Sequence, residues 1–537
     1  MSYAIETFSE NEREILRRYM TNLDGPVFAL VNLPEVVKGA LFARYSRSAK
    51  SLRRLFLDEF VDELDISGDE SVDATMGLRR AEQLYERVFG EYGDDSVAQL
   101  GGVHLACEQA SNVLTKVLER GRIMSYLEQS TRYIPYDTRL WTGHYRYYRD
   151  PEVLESPLGA RYVGEMDRMF DTYGALMPVL IEHLTRVFPQ SGNISDFAYR
   201  QSVRARALDA LRGLLPAGAL SNVGIYGSGQ SYEMLLLRMR AHPLPEVREY
   251  AELILTELRK VVPSFLTRLD RPDRGGEWTQ YFSDRQSQMT EMLGRLFSDV
   301  DTHVSPEESS VHLVDYDPRG EDKVLAAICY AYLGISEEAI ERKITALTAS
   351  ERSALFRTYV GTRKNRRHRP GRAFERTEYR FDIVSDYGAF RDLQRHRLLT
   401  IDWQPLTTDL GYDVPDIVVN AGLERAYRDS LERSSDLFHA MSTRLPHQSS
   451  YAVALAFKIR YVMQMSAREA MHIAELRSGP QGHPTYRVIA QQMHDQIATV
   501  AGHYAIAESM SFVDYSETEL GRLEAEDQLA QRRRNGA

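Results

Sequence analysis

Near its midpoint the chain loses the ability to continue a helix. Asp270-Arg271-Pro272-Asp273-Arg274-Gly275-Gly276 combines a proline, which removes a backbone donor, with two adjacent glycines. Ser305-Pro306-Glu307-Glu308-Ser309-Ser310 repeats the break after a short helical insert. The 537 residues are thereby cut nearly in half, and single cores stop growing near ~250–300 residues, so each half can hold a core of its own. A first domain over 1–268, a linker over 269–309 and a second domain over 310–537 are predicted.

Helical periodicity dominates both halves. Val36, Val37, Ala40, Leu41, Ala43 and Tyr45 follow the start signal Asn32-Leu33-Pro34-Glu35, and further helical stretches are predicted over 159–187, 195–215, 230–268, 418–445 and 447–477. The clearest alternating runs are Val311 to Tyr316 and Glu378 to Val384. The expected class is α+β and mostly helical, each domain a small antiparallel sheet flanked by helices.

A net charge of −11 repels polynucleotides and leaves small anions as ligands for local basic patches. Cys107 and Cys329 are too few and too far apart for a disulfide framework or a zinc site, which fits a reducing cytoplasm. The polar start Met1 to Glu14 and the lack of any run of ~18 apolar residues argue against secretion and membrane spanning.

Two Arg-x-Arg triplets, Arg120-Gly121-Arg122 and Arg395-His396-Arg397, fall at comparable depths in the two halves, and each is followed by a Leu-Pro, at 215–216 and 445–446. The first opens Arg120-Gly121-Arg122-Ile123-Met124-Ser125-Tyr126-Leu127-Glu128-Gln129-Ser130-Thr131-Arg132-Tyr133. Forked guanidinium donors and serine hydroxyls suit phosphate and carboxylate oxygens, so this stretch fits a nucleotide monophosphate. The competing reading is a solvated helix end with an i,i+4 pair of Glu128 and Arg132.

This segment resembles the flavin-dependent thymidylate synthase family, whose R-H-R-x-x-S and N-E-x-S-x-R-Y runs match Arg120, Arg122, Ser125, Glu128, Ser130, Arg132 and Tyr133 without a gap. Gly121 and Leu127 depart from the pattern. Tyr92-Gly93-Asp94-Asp95-Ser96-Val97-Ala98-Gln99 is similar to the family's G-H-x-S-x-x-E-H, with Asp94 and Gln99 as departures. After Leu215-Pro216, the place of the family's N-A-R reads Gly229-Gln230-Ser231. The second half resembles the family at Arg395-His396-Arg397 and at Ser466-Ala467-Arg468-Glu469-Ala470-Met471-His472-Ile473-Ala474-Glu475-Leu476-Arg477, which matches N-A-R-x-L-x-H-F-x-x-L-R. The E-x-S-x-R-Y portion is replaced there by Thr400 to Thr407.

The resemblance implies reductive methylation of dUMP with FAD, NADPH and methylenetetrahydrofolate, without a cysteine nucleophile. It implies dUMP contacts from Glu128, Ser130, Thr131, Arg132, Arg395 and Arg468, with Arg468 also catalytic through polarisation of the uracil ring. FAD contacts are implied for Arg120, Arg122, Ser125, His396, Arg397 and His472, and no metal is implied. The complementary losses lead to the expectation of one composite site per chain, and a tandem chain would reach the family's tetrameric arrangement as a homodimer. A catalytically degenerate flavin or nucleotide binder, a flavin-dependent pyrimidine hydroxymethylase and a ligand-free helical scaffold stay open. The basic run Arg363-Lys364-Asn365-Arg366-Arg367-His368-Arg369 suits a dinucleotide phosphate or a solvated loop equally, and Glu524 to Arg534 reads as a frayed helix.

Overall fold

The computed structural model describes residues 3–61, 99, 101–190, 194–300, 306–517, 520–523 and 527. Eight strands are described: β1 Val27–Leu30, β2 Gly102–Ser111, β3 Ser125–Glu128, β4 Leu220–Ser228, β5 Ser310–Tyr316, β6 Glu378–Asp386, β7 Leu399–Trp403 and β8 Lys458–Ser466. They form two four-stranded antiparallel sheets of the same topology, β1-β2-β4-β3 and β5-β6-β8-β7. Helices make up most of the rest, so the mostly helical α+β class holds, with one such sheet in each half of the chain.

Six helices bear on the sites: α1 Asn112–Leu118, α2 Gly229–Arg240, α3 Pro245–Arg259, α4 Tyr387–Leu393, α5 Ala467–Arg477 and α6 Pro484–Thr499. Several start where a short polar side chain satisfies an otherwise orphaned amide. Ser111, Ser228, Asp386 and Ser466 each accept a hydrogen bond from the backbone N–H three residues on, at the heads of α1, α2, α4 and α5. The predicted helix over 447–477 is corrected: β8 occupies its middle. Ile459, Tyr461, Met463 and Met465 alternate with more accessible residues, a period of two, and only beyond Ser466 does the helical period begin. Both periods fit a long apolar run, which is why the strand was hidden.

The chain forms two compact units. Unit 1 comprises Met1–Gly174, Leu215–His303 and Glu432–Val453; unit 2 comprises Ala175–Leu214, Val304–Leu431 and Ala454–Ala537. Each unit therefore draws on both sides of the 269–309 break, and helix Glu277–Leu296 runs through that segment. In unit 1, Phe8, Leu16, Phe28, Leu41 and Phe56 build a core beside β1. Arg53 is buried in it, lying 3.8 Å over the Phe28 ring and 3.4 Å from Glu108. In unit 2, Phe381, Ile383, Tyr461, Met463 and Met471 are buried about the central strands. Among the described residues no helix is long and apolar enough to cross a membrane.

Candidate functional site

Strand register aligns the two units without reference to side-chain identity. Ser125 pairs with Tyr226 and Thr400 with Gln464, and each of these partners lies two residues before the capping serine of the next helix, Ser228 or Ser466. Ser125 and Thr400 are thus equivalent, and the triplets Arg120-Gly121-Arg122 and Arg395-His396-Arg397, each ending three residues earlier, coincide. Glu128 falls on Trp403 and Arg132 on Thr407, so unit 2 lacks the acidic and basic members of the first segment. The register also shifts two alignments. Counted from the caps, N-A-R corresponds to Ser228-Gly229-Gln230, so Gln230 and not Ser231 stands in the place of Arg468. Pro216 corresponds to Ala454, so Leu445-Pro446 is not the counterpart of Leu215-Pro216.

In unit 1 the Arg120 to Tyr133 segment is a turn, an edge strand and a second turn, which excludes a helical Glu128–Arg132 pair. Arg120, Arg122 and Ser125 are exposed. Glu128, at the inner end of β3, is buried with Lys116 and Glu119: the ammonium stands 3.4 Å from Glu128 and 2.6 Å from Glu119, and the three side chains are 0–3% exposed. Ser130 donates its backbone N–H to Ser46 O at 3.1 Å, and its hydroxyl accepts from the Arg132 N–H at 3.2 Å. Thr131 and Arg132 are buried, and Tyr133 is exposed beneath the Arg47 guanidinium, 5.3 Å away. Of Tyr92 to Gln99 only Gln99 lies within the described residues.

In unit 2, Arg468, His472 and Glu475 form one stripe on α5, and the basic run is laid along it. Arg468 Nε donates to Pro370 O at 3.1 Å, Arg369 Nη2 donates to His472 Nδ1 at 2.8 Å, and the Arg363 guanidinium forks onto Glu475 at 2.5 and 2.6 Å. Arg468 Nη1 is also 3.4 Å from Glu375. Glu375 lies three residues before the start of β6 and Gln99 three before β2, and both starts face a capping serine, so these positions match. In unit 1 the Arg468–Glu375 ion pair is accordingly replaced by an amide pair, Gln99 Nε2 donating to Gln230 Oε1 at 2.8 Å.

His396 is buried, and its partners fix its tautomer. Arg477 Nε can only donate, so His396 Nε2 accepts, at 2.9 Å; Nδ1 therefore carries the proton and faces Glu469 Oε1 at 3.3 Å. Arg477 Nη2 also donates to Asp392 O at 2.6 Å. Burial pushes the Glu469 carboxyl up to about 7, although Arg369, Arg468 and Arg397 pull it down. Burial, with Arg369 and Arg366 nearby, pushes His472 down to about 4, and burial with Arg477 pushes His396 down as well. His396, Glu469 and His472 offer ligand atoms within 4.8 Å of one another, as a metal site would. Guanidinium N–H groups, however, occupy one imidazole lone pair on each histidine, and the surrounding arginines favour an anion over a cation.

A family model described as "Thymidylate synthase complementing protein" matches residues 41–264 and 312–502, one stretch in each half. The chain belongs to the thymidylate synthase complementing protein family. It is 39% identical over 523 residues to a "UPF0159 protein" of Chlamydia muridarum, covering 97% of this chain and 98% of the relative. A "UPF0159 protein" of Thermoplasma acidophilum is 34% identical, over 91% of this chain and 97% of its own. A solved UMP/dUMP methylase from Streptomyces cacaoi, bound with 5-Br dUMP, covers 39% of this chain and 100% of its own at 17% identity and a TM-score of 0.30, too slight a likeness to bear on the site. Lys116, Glu375 and Glu469 take part without having been marked by the sequence, and Arg369, part of the basic run, meets α5 through His472. Glu469 and Arg477 stand inside the motif that pointed to α5, but nothing in the linear pattern distinguishes a buried carboxylate from a solvated one.

Proposed function

We propose that the chain is a flavin-dependent thymidylate synthase, converting dUMP to dTMP with methylenetetrahydrofolate as one-carbon donor and NADPH as reductant. The family assignment supports the reaction class, and the observation that carries the reading is the guanidinium-rich face of α5. Arg468 is held there by Pro370 O and Glu375, Arg369 and Arg397 lie close to the same helix, and Arg477 ends it. A dianionic nucleotide leaving water needs several such cations. Arg132, Arg395 and Arg468 are assigned to the phosphate and the uracil oxygens, with Ser130, Thr131 and Glu128 shaping the first segment. Each charge-assisted bond contributes ~1.5–3 kcal/mol. Glu375 holds the fork of Arg468, and Arg477 holds the tautomer of His396, whose two ring nitrogens are engaged inside the unit; His396 therefore orients the helix face.

The chemistry of the donor set fits FAD: Arg120, Arg122 and Ser125 in unit 1 and Arg397 in unit 2 are exposed donors suited to a pyrophosphate, and His472 in unit 2 has a protonated Nε2. Bound FAD, reduced by NADPH, would supply the hydride that completes the transferred methyl group. The test is the visible spectrum of the purified full-length chain, for flavin absorbance near ~450 nm, followed by dUMP-dependent NADPH oxidation. Turnover that Arg468→Ala abolishes supports the proposal, and turnover untouched by that change ends it. The Gln99–Gln230 pair favours a second reading, a flavin and nucleotide binder without turnover; it predicts flavin and dUMP binding with no NADPH oxidation. The mass of the product separates methylation from hydroxymethylation.

A further inference from the structure

Unit 1 and unit 2 differ in side-chain size at one equivalent place. Gly218 N–H donates to Tyr451 O at 2.9 Å, and Ala456 N–H donates to Gly213 O at 3.0 Å; Gly218 and Ala456 both lie ten residues before the capping serines, so Tyr451 and Gly213 correspond. The helices α3 and α6 both open on a proline, which makes Glu246 and Thr485 equivalent, and the caps Ser111 and Asp386 correspond as well. In unit 1 these three side chains close on one another. Tyr451 Oη donates to Glu246 at 2.8 Å, and Ser111 donates to the same carboxyl through its hydroxyl at 2.6 Å and its N–H at 2.9 Å. In unit 2 tyrosine becomes glycine and glutamate becomes threonine, and a cavity of about 360 Å³ opens, lined by Gly213, Thr485 and Asp386 among others. Tyr427 closes its Gly213 side, where an added β-carbon would overlap the phenol oxygen.

The lining is selective. Arg212, whose side chain is 4% exposed, holds Asp392 through Nη1 at 3.2 Å, while its Nη2 lies 3.8 Å from Asp386 and has no hydrogen-bond partner in reach. Asp413 and Asp416 stand exposed at the rim, and Ile417 and Val488 supply apolar wall. Asp209 is paired with Arg522 at 3.4 Å and Asp413 with Lys458 at 2.8 Å, so Asp386 and Asp416 balance Arg206 and Arg212; without an excess of cations the lining does not favour a phosphate, unlike the arginine-rich face of α5. A flat lactam ring answers every feature: its carbonyl accepts from Arg212 Nη2, its N–H groups donate to carboxylates, and its faces meet the aliphatic wall.

We propose that this cavity of unit 2 is a binding site for the ring of an unphosphorylated nucleobase or nucleoside. The experiment is calorimetric titration of the full-length protein with uridine, thymidine, adenosine and guanosine, with dUMP titrated in parallel. Saturable binding of at least one nucleoside, uncompeted by dUMP, is expected. Val488→Trp, at a half-exposed wall position, should weaken it at least tenfold and leave dUMP binding unchanged, and Arg212→Met should do the same if it folds. Failure of all four nucleosides to saturate, competition by dUMP, or indifference to Val488→Trp would each overturn the proposal.

Discussion

Replacing Glu469 by glutamine should make the protein more stable in mildly alkaline buffer and change little in acid. Glu469 is 5% exposed and faces His396 Nδ1 at 3.3 Å, and glutamine keeps an oxygen acceptor in that place. Burial lifts the carboxyl from its ordinary 4.5 to about 7, so the folded protein holds this proton more tightly than the unfolded chain does. Stability from the protonated group is therefore fully present below about 4.5 and is lost as pH rises through about 7. A displacement of that size corresponds to about 3 kcal/mol, and relaxation of the nearby arginines will lower it toward ~1–2 kcal/mol. The assay is urea denaturation from pH 5 to pH 8.5, comparing midpoints of the transition that includes unit 2. The advantage of Glu469→Gln should grow across pH 5 to 7 and level off above. A difference that stays constant, or that shrinks with rising pH, would refute a buried carboxyl held neutral at this site.

Lys116→Met should destabilise unit 1 by ~3–5 kcal/mol, because Glu119 and Glu128 would remain buried without their ammonium; thermal unfolding reads the loss, and a shift of a degree or less would contradict it. Arg132→Ala and Arg468→Ala, made separately, should each lower dUMP affinity about tenfold or more, measured by equilibrium dialysis; normal affinity in either removes that residue from the nucleotide. Ser466→Ala removes the α5 cap and should cost ~1 kcal/mol in a urea midpoint. In a double-mutant cycle, Gln99→Glu with Gln230→Arg should show favourable coupling of no more than ~1 kcal/mol, since the pair is exposed; zero coupling would mean that the two positions do not mirror Glu375 and Arg468.

The triplets, β5, β6 and the stripe on α5 were legible in the sequence because each depends on local spacing. The β8 strand was not, since its alternation sits inside an apolar run that also suits a helix, and only pairing with β6 and β7 decides between them. The basic run could not be placed from sequence either: Arg363, Arg369 and the Pro370 carbonyl meet α5 across about a hundred residues of chain. The same distance hid the one-residue error at Gln230, because the capping serines that set the register are themselves unremarkable in sequence.

The two units show how a repeated fold can diverge by paired changes at equivalent contacts. Where unit 2 has Arg468 with Glu375, unit 1 has Gln230 with Gln99, both members neutralised together. The pairing is not general: where unit 1 buries Glu128 and Glu119 against Lys116, unit 2 has Trp403 and Gln394 but keeps a buried cation, Arg391, at the position of Lys116. Where unit 1 packs Tyr451 on Glu246, unit 2 has Gly213 and Thr485, shortened together. A single change at the buried Tyr451–Glu246 contact would leave a clash or an unsatisfied carboxyl costing several kcal/mol, whereas at the part-exposed Arg468–Glu375 position it costs far less. The third exchange differs in kind: the Tyr427 phenol takes the place beside Gly213, and what stays open runs along Thr485 and Asp386, where Arg212 Nη2 stands 3.8 Å from the carboxylate.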